Sequence, residues 1–180
     1  MFNVLSQRVY TFGLGLILAF AGCATTRSQQ DFSSILADKE RPETEKALDS
    51  TRKPNEVLAF YGVKSGDKVA DIFAARGYYT AILSQVVGTQ GLVYAVVPAS
   101  RPELTERMKN PKFTNVRLVE GPLDKLALPQ DGSLHFALIH LNYHDLSPDV
   151  RIAMNKRILG ALKRGGVYGI VDHSAKEGSG

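Results

Sequence analysis

Apolar residues fall along this chain in short runs separated by segments of helical period. Lys68 to Phe73, Leu92 to Val97, Asn115 to Val119 and Leu134 to Leu141 each have strand length and strand composition. Between them, Tyr78 to Val87 reads as an amphipathic helix stopped by Gly88, and Pro102 to Lys109 as a second helix. A third helix carries stronger signals. Ser147 is placed to cap it, Pro148 takes its first position, and Val150, Met154, Ile158 and Leu162 recur at helical spacing. Gly165-Gly166 is expected to end that helix, and Val167 to Asp172 to form a fifth strand. Upstream, Pro54 opens a helix whose Val57, Leu58 and Tyr61 should face the core, with Gly62 ending it. Strand and helix alternate throughout, which predicts an α/β fold: a doubly wound, mostly parallel sheet inside a three-layer sandwich.

The first residues read differently. Arg8 and the apolar stretch Phe12 to Phe20 have the form of a signal peptide, and the stretch is too short to span a bilayer comfortably. Phe20-Ala21-Gly22-Cys23 places small residues before the only cysteine, and it resembles a bacterial lipoprotein processing box. That reading makes 1–22 a signal peptide and Cys23 a lipidated mature N-terminus. The protein would then sit in the cell envelope, lipid-anchored to a bacterial membrane on its periplasmic side. Ala19-Phe20-Ala21 also fits an ordinary cleavage site, which would give a periplasmic or secreted protein; an uncleaved anchor is the third reading. Residues 23–50 are polar and read as a tether with a short helix around Glu43 to Leu48, leaving 51–180 as one α/β domain. A hydrophobic fraction of 44% supports a globular core. The net charge of +4 is spread along the chain without a basic run, so no nucleic-acid partner is expected.

Gly62 to Thr80 is the most informative stretch. It reads as turn, buried strand, tight loop and helix start, a unit that builds nucleotide pockets in doubly wound folds. Its loop, Phe73-Ala74-Ala75-Arg76-Gly77, keeps a single glycine. Leu162-Lys163-Arg164-Gly165-Gly166-Val167 resembles the helix–turn–strand passage before the fifth strand of class I S-adenosylmethionine-dependent methyltransferases, with Arg164 where that family often has proline. The segment around Asp71 resembles the family's first motif, and Asn142-Tyr143-His144-Asp145 falls where its fourth strand ends. Arg52-Lys53-Pro54-Asn55-Glu56-Val57-Leu58 resembles a bacterial subgroup of predicted methyltransferases. The resemblance runs from about Arg41 to Gly180. It implies a Rossmann-like sheet of order 3-2-1-4-5, without the last two strands that the family normally adds. Strand five would then be an exposed edge, open to a partner or to self-association.

The resemblance also implies a small-molecule donor, S-adenosyl-L-methionine, and a site to hold it. The loop backbone at Phe73, Ala75, Gly77 and Tyr78, with Asp71, would cradle its methionine part. Val97 ends strand two, where many relatives carry an acid for the ribose; this chain has none. Asp124 is the match for an acid near the adenine, and Asn142 lies at the end of strand four. The chemistry is expected from His144 as general base or acceptor-positioning group, assisted by Asp145, with His173 opposite. No metal is expected, since no H-x-x-H or cysteine pair supports one. His135 and His140 read as structural. The function implied is methyl transfer to an unknown acceptor. A non-catalytic envelope lipoprotein of the same fold is the alternative, favoured by the missing ribose acid and the glycine-poor loop. A dinucleotide oxidoreductase is disfavoured by that same loop.

Overall fold

The computed structural model describes residues 30–99, 101–174 and 178. Five parallel strands form one sheet in the order β3-β2-β1-β4-β5. They are β1 (Lys68–Ile72), β2 (Leu92–Val97), β3 (Val116–Glu120), β4 (Leu134–His140) and β5 (Leu162–Val171). Helix α4 (Pro54–Tyr61) precedes β1, α5 (Tyr78–Val87) follows it, α6 (Pro102–Met108) follows β2, and α7 (Pro148–Ala161) joins β4 to β5. β1 is central, with Asp71 registered against Ala95 of β2 and Leu138 of β4.

Alternation along the strands divides the core into two layers, because successive side chains point to opposite faces. Val69, Val93, Phe136 and Leu138 pack with Leu58 of α4 and with Ile82, Leu83 and Val86 of α5. Ala70, Ile72, Val96, Ala137 and Ile139 face the other way, onto Met154, Ile158 and Ala161 of α7. Asp71 shares its face with Val69, so its carboxylate lies under the first turn of α5 rather than in solvent.

Three expectations change. Helix α7 ends at Ala161, four residues before the glycine pair, because Leu162 already has extended backbone. The glycines lie within β5 instead. Leu134 pairs with Leu162 but Phe136 pairs with Val167, so the strand bulges outward at 163–166, and Gly165 supplies the positive φ of 75° that this needs. Strand β1 stops at Ile72, since Phe73 turns into the left-handed region.

From residue 30 onward the supposed tether is also structured. Short helices α1 (Ser33–Leu36), α2 (Glu43–Lys46) and α3 (Asp49–Arg52) pack on the domain, and Phe32 joins the core beside Val69 and Leu83. The sequence conceals this because the packing is polar. Arg41, only 5% exposed, forks onto both oxygens of Asp49 at 2.8 and 2.7 Å and donates to Leu36 O at 2.7 Å. A buried guanidinium is tolerable only with this degree of pairing. Among the described residues no helix is long and apolar enough to cross a membrane. At the sheet's free edge, β5 and α4 form an apolar groove of about 580 Å³ beside Phe60, which is 81% exposed.

Candidate active site

Strand order reverses between β1 and β4, and the carboxyl ends of those strands open into a cavity of about 230 Å³. Asp71, Phe73, Ala74, Ala75, Tyr78 and Tyr79 line it from the β1 side, His140, Leu141 and Asn142 from the β4 side, and Arg52 from α3. This is the crevice in which open α/β sheets take their ligands.

The loop after β1 achieves its shape without the expected glycines. Phe73 and Ala75 have φ of 67° and 52°, and Leu141 across the cavity has 60°. Three of the four non-glycine residues with positive φ among those described therefore line this one cavity. Left-handed backbone costs an L-residue about 1–2 kcal/mol, so the surrounding packing holds the loop in a form that a glycine-rich sequence would take freely. Ala74 N–H donating to Val96 O at 2.8 Å, and Gly77 N–H to Ala74 O at 2.7 Å, fix it from within.

Asp71 is the buried acid of the site, 4% exposed and bonded by the Thr80 hydroxyl at 2.6 Å. Burial pushes its carboxyl up to about 6, against the Thr80 hydrogen bonds and the Arg52 charge, which favour ionisation. Arg52 stacks on the Tyr78 ring at 4.5 Å from its centroid. Tyr78 in turn donates to Asp49 at 2.6 Å, and Tyr79 donates to Arg52 O at 2.8 Å. The chain Arg41–Asp49–Tyr78 thus fastens the N-terminal helices to the cavity wall. Burial first, and then the Arg52 charge, lower the pKa of His140, whose ring packs 4.8 Å from Tyr79. His140 is therefore a neutral wall of the cavity rather than only a strand residue.

Beyond the cavity, the ends of β4 and β5 bring His144 and Asp172 together. His144 Nδ1 lies 2.7 Å from Asp172 Oδ1, and the His144 backbone N–H donates to Asp172 Oδ2 at 2.9 Å. Burial alone would raise the Asp172 carboxyl. The His173 N–H and both His144 groups outweigh it and hold the carboxyl below its ordinary value. Asp145 meets the other ring nitrogen, Nε2, at 3.2 Å, with both side chains at least half exposed. The residue that orients His144 is thus Asp172, not Asp145, because only Asp172 is fixed by backbone bonds on both sides. His173 stands edge-on to His144 with ring centroids 5.4 Å apart. His144, Asp172 and His173 bring ligand atoms within 4.8 Å of one another, a donor set that could also hold a divalent cation.

Of the sequence-derived donor residues, Asp71, Phe73, Ala75, Tyr78 and Asn142 line the cavity; Gly77, Val97 and Asp124 do not. Gly77 caps α5 with φ 82°, and a Cβ there would meet Leu104 Cδ1 at 2.7 Å, so packing and backbone require this glycine rather than ligand approach. Val97 is fully buried against Ala74 and Leu104. Asp124 sits half-buried in a 3₁₀ turn at Leu123–Lys125. Cys23 and the rest of 1–29 lie outside the described residues. Sequence reasoning missed Arg52; it placed Tyr79 in the stretch after β1 and Asp172 beside His144 at the sheet edge, but gave the orienting role to Asp145.

No family model matches the chain. A protein-L-isoaspartate O-methyltransferase of Methanococcus aeolicus is 32% identical over 84 residues, 39% of this chain and 38% of that protein. A demethylmenaquinone methyltransferase of Staphylococcus aureus is 30% identical over 112 residues, 62% of this chain and 45% of that protein. The chain thus spans less than half the length of these curated relatives. A crystal structure of a SAM-dependent methyltransferase from Aquifex aeolicus superposes with a TM-score of 0.64 at 25% identity, covering 79% of this chain and 78% of that one. In strand order, crossovers and these likenesses, the described domain has the class I S-adenosylmethionine-dependent methyltransferase fold.

Proposed function

We propose that the protein is a methyltransferase that takes its methyl group from S-adenosyl-L-methionine. The observation that carries this is the cavity at the β1/β4 reversal, with a buried acid, Asp71, on one wall and an arginine, Arg52, on another. An α-amino acid end carries an ammonium and a carboxylate, and this pair matches both. When bound, the donor supplies a methyl group made electrophilic by its sulfonium. The chain's own residues do the rest: Asp71 and Arg52 orient the amino-acid end, while Tyr78 and Tyr79 exclude water. His144, held by Asp172 through Nδ1, presents Nε2 to take a proton from the acceptor, with His173 edge-on beside it. Alignment of acceptor and methyl accounts for most of the acceleration in such a site.

Isothermal titration with S-adenosylhomocysteine and with NAD tests the reading. Binding of the first and not the second is expected; no binding of S-adenosylhomocysteine overturns it. His144→Ala should slow saturated turnover by about 10²–10⁴-fold, the usual contribution of a general base, with donor affinity kept.

Val97 favours a second reading, a non-catalytic protein of this fold, because the β2 end offers no acid to a ribose. Tight donor binding without methyl transfer to any envelope component would select it. We also propose that Cys23 is lipidated and that the domain works at the periplasmic face of a bacterial membrane. The support is the apolar stretch and small residues before Cys23. Metabolic labelling with a fatty-acid analogue should mark wild type but not Cys23→Ser, and equal labelling overturns the proposal.

A further inference from the structure

A second cavity, of about 390 Å³, adjoins the first and shares Arg52, Ala74, Ala75 and Tyr78 with it. It opens where the loop after β1, the segment after β2 and the N-terminal helices meet. Three arginines line it: Arg52, Arg76 and Arg101. Its one acid, Glu45, is already committed, since both its oxygens bond Arg107. Among the described residues, none of the three lining arginines forms an ion pair. Like charges gathered around one recess raise the folded state's energy unless an anion joins them.

Resting on the methyl-transfer reading, we propose that this cavity binds an oxyanion of the methyl acceptor, a carboxylate or a phosphate. The donor itself fits poorly here. With a sulfonium, an ammonium and one carboxylate it is cationic overall, and Arg76 and Arg101 oppose it, whereas Arg52, on the shared wall, faces the donor's carboxylate. The cavity next door, with Asp71 and the shared Arg52, suits the donor's ammonium and carboxylate together. Charge therefore sorts two ligands between two adjoining recesses, with Arg52, Tyr78, Ala74 and the left-handed Ala75 as the wall between them. Guanidinium forks match either oxyanion bidentately, and Thr44 also lines the recess.

The test uses the whole protein with pyrophosphate and citrate as probes, titrated with and without saturating S-adenosylhomocysteine. Arg76 and Arg101 are exposed, so Arg76→Gln/Arg101→Gln should fold as wild type does. At least one probe is expected to bind wild type about tenfold or more tightly than the double variant, as removal of charge-assisted bonds predicts. The preferred probe identifies phosphate or carboxylate as the source. Equal binding by wild type and variant overturns the anion site. Displacement of S-adenosylhomocysteine by the probe also overturns it, because the recess would then belong to the donor. Failure of S-adenosylhomocysteine to bind at all overturns the methyl-transfer reading, whereas the arginine dependence of probe binding is read independently of it.

Discussion

The two ends of this site are built by opposite means. The loop after β1 is buried and strained: Phe73 and Ala75 are held in left-handed backbone, and Asp71 is desolvated beneath α5. The ends of β4 and β5 are open. His144 and His173 are exposed, and short hydrogen bonds through Asp172 order that end rather than packing. Changes on the β1 side should therefore be felt first in folding and in titration. On the β4–β5 side they should be felt in rate.

Gly77→Val should produce the largest effect, and it should be structural. The new Cβ would meet Leu104 Cδ1 at 2.7 Å, at a φ of 82° that a β-branched residue resists. Left-handed strain of about 1–2 kcal/mol and overpacking of about 1–3 kcal/mol together predict a loss of roughly 2–5 kcal/mol by urea unfolding. A variant as stable as wild type but deficient in S-adenosylhomocysteine binding would return Gly77 to the ligand wall.

Asp71 gives the next effect, as a pH dependence. Its folded carboxyl titrates at about 6 against 3.8 for the free group, so the native state holds a proton that the unfolded chain has released. Between pH 4 and 6 the native state binds more protons, and stability must fall as pH rises through that window. A shift of this size amounts to roughly 3 kcal/mol. Asp49 and Asp172, held below their ordinary values, act in the opposite sense and at lower pH. Asp71→Asn should abolish the fall between pH 4 and 6, and an unchanged slope would show that another group causes it. The same group gives a binding test. A donor ammonium favours the ionised carboxylate, so affinity for S-adenosylhomocysteine should rise as pH increases through about 6, and Asp71→Asn should flatten that rise.

The contrast also explains which parts the sequence disclosed. Strand order and the two-layer core follow from period-2 and period-3.6 patterns, and those patterns are strong from Lys68 to Ile158. Residues 30–50 were opaque because Arg41, Asp49 and Tyr78 bury polar groups by pairing them, which no hydropathy pattern records. Gly165-Gly166 misled because glycine serves a bulge as well as a helix end. In the site, Asp71 was legible as the single acid in an apolar strand. Arg52 was not, since a cation next to a proline helix start has no local mark of facing a cavity 19 residues further along at Asp71. Asp145 looked like the partner of His144 by adjacency, whereas the strand register brings Asp172 closer.

On the open side, Asp172→Asn should lower saturated turnover by about tenfold or more, part of the usual contribution of an oriented base. It removes the charge and one of the two acceptor oxygens that between them hold the His144 ring and the His144 and His173 backbone N–H groups, and it leaves the donor cavity intact. Donor affinity should not change. A variant with the wild-type rate would confine Asp172 to holding the β5 end in place.

Asp145→Asn should have the smallest effect, less than about twofold at physiological salt. Its carboxylate lies 3.2 Å from His144 Nε2, but the two side chains are 61% and 50% exposed, and no backbone bond fixes it. Exposed pairs of this kind are worth about 0–1 kcal/mol and are screened by salt. Nε2 must also be free to accept a proton, so Asp145 has to turn outward for His144 to act as a base. Replacing it with asparagine removes a competitor for that nitrogen together with a weak attraction, and the two changes oppose each other. The measurement is the rate of Asp145→Asn beside Asp172→Asn, at low and at physiological salt. A loss as large as that of Asp172→Asn, undiminished by salt, would make Asp145 the residue that orients His144, and the β4 end alone would then carry the chemistry that the register assigns to β4 and β5 together.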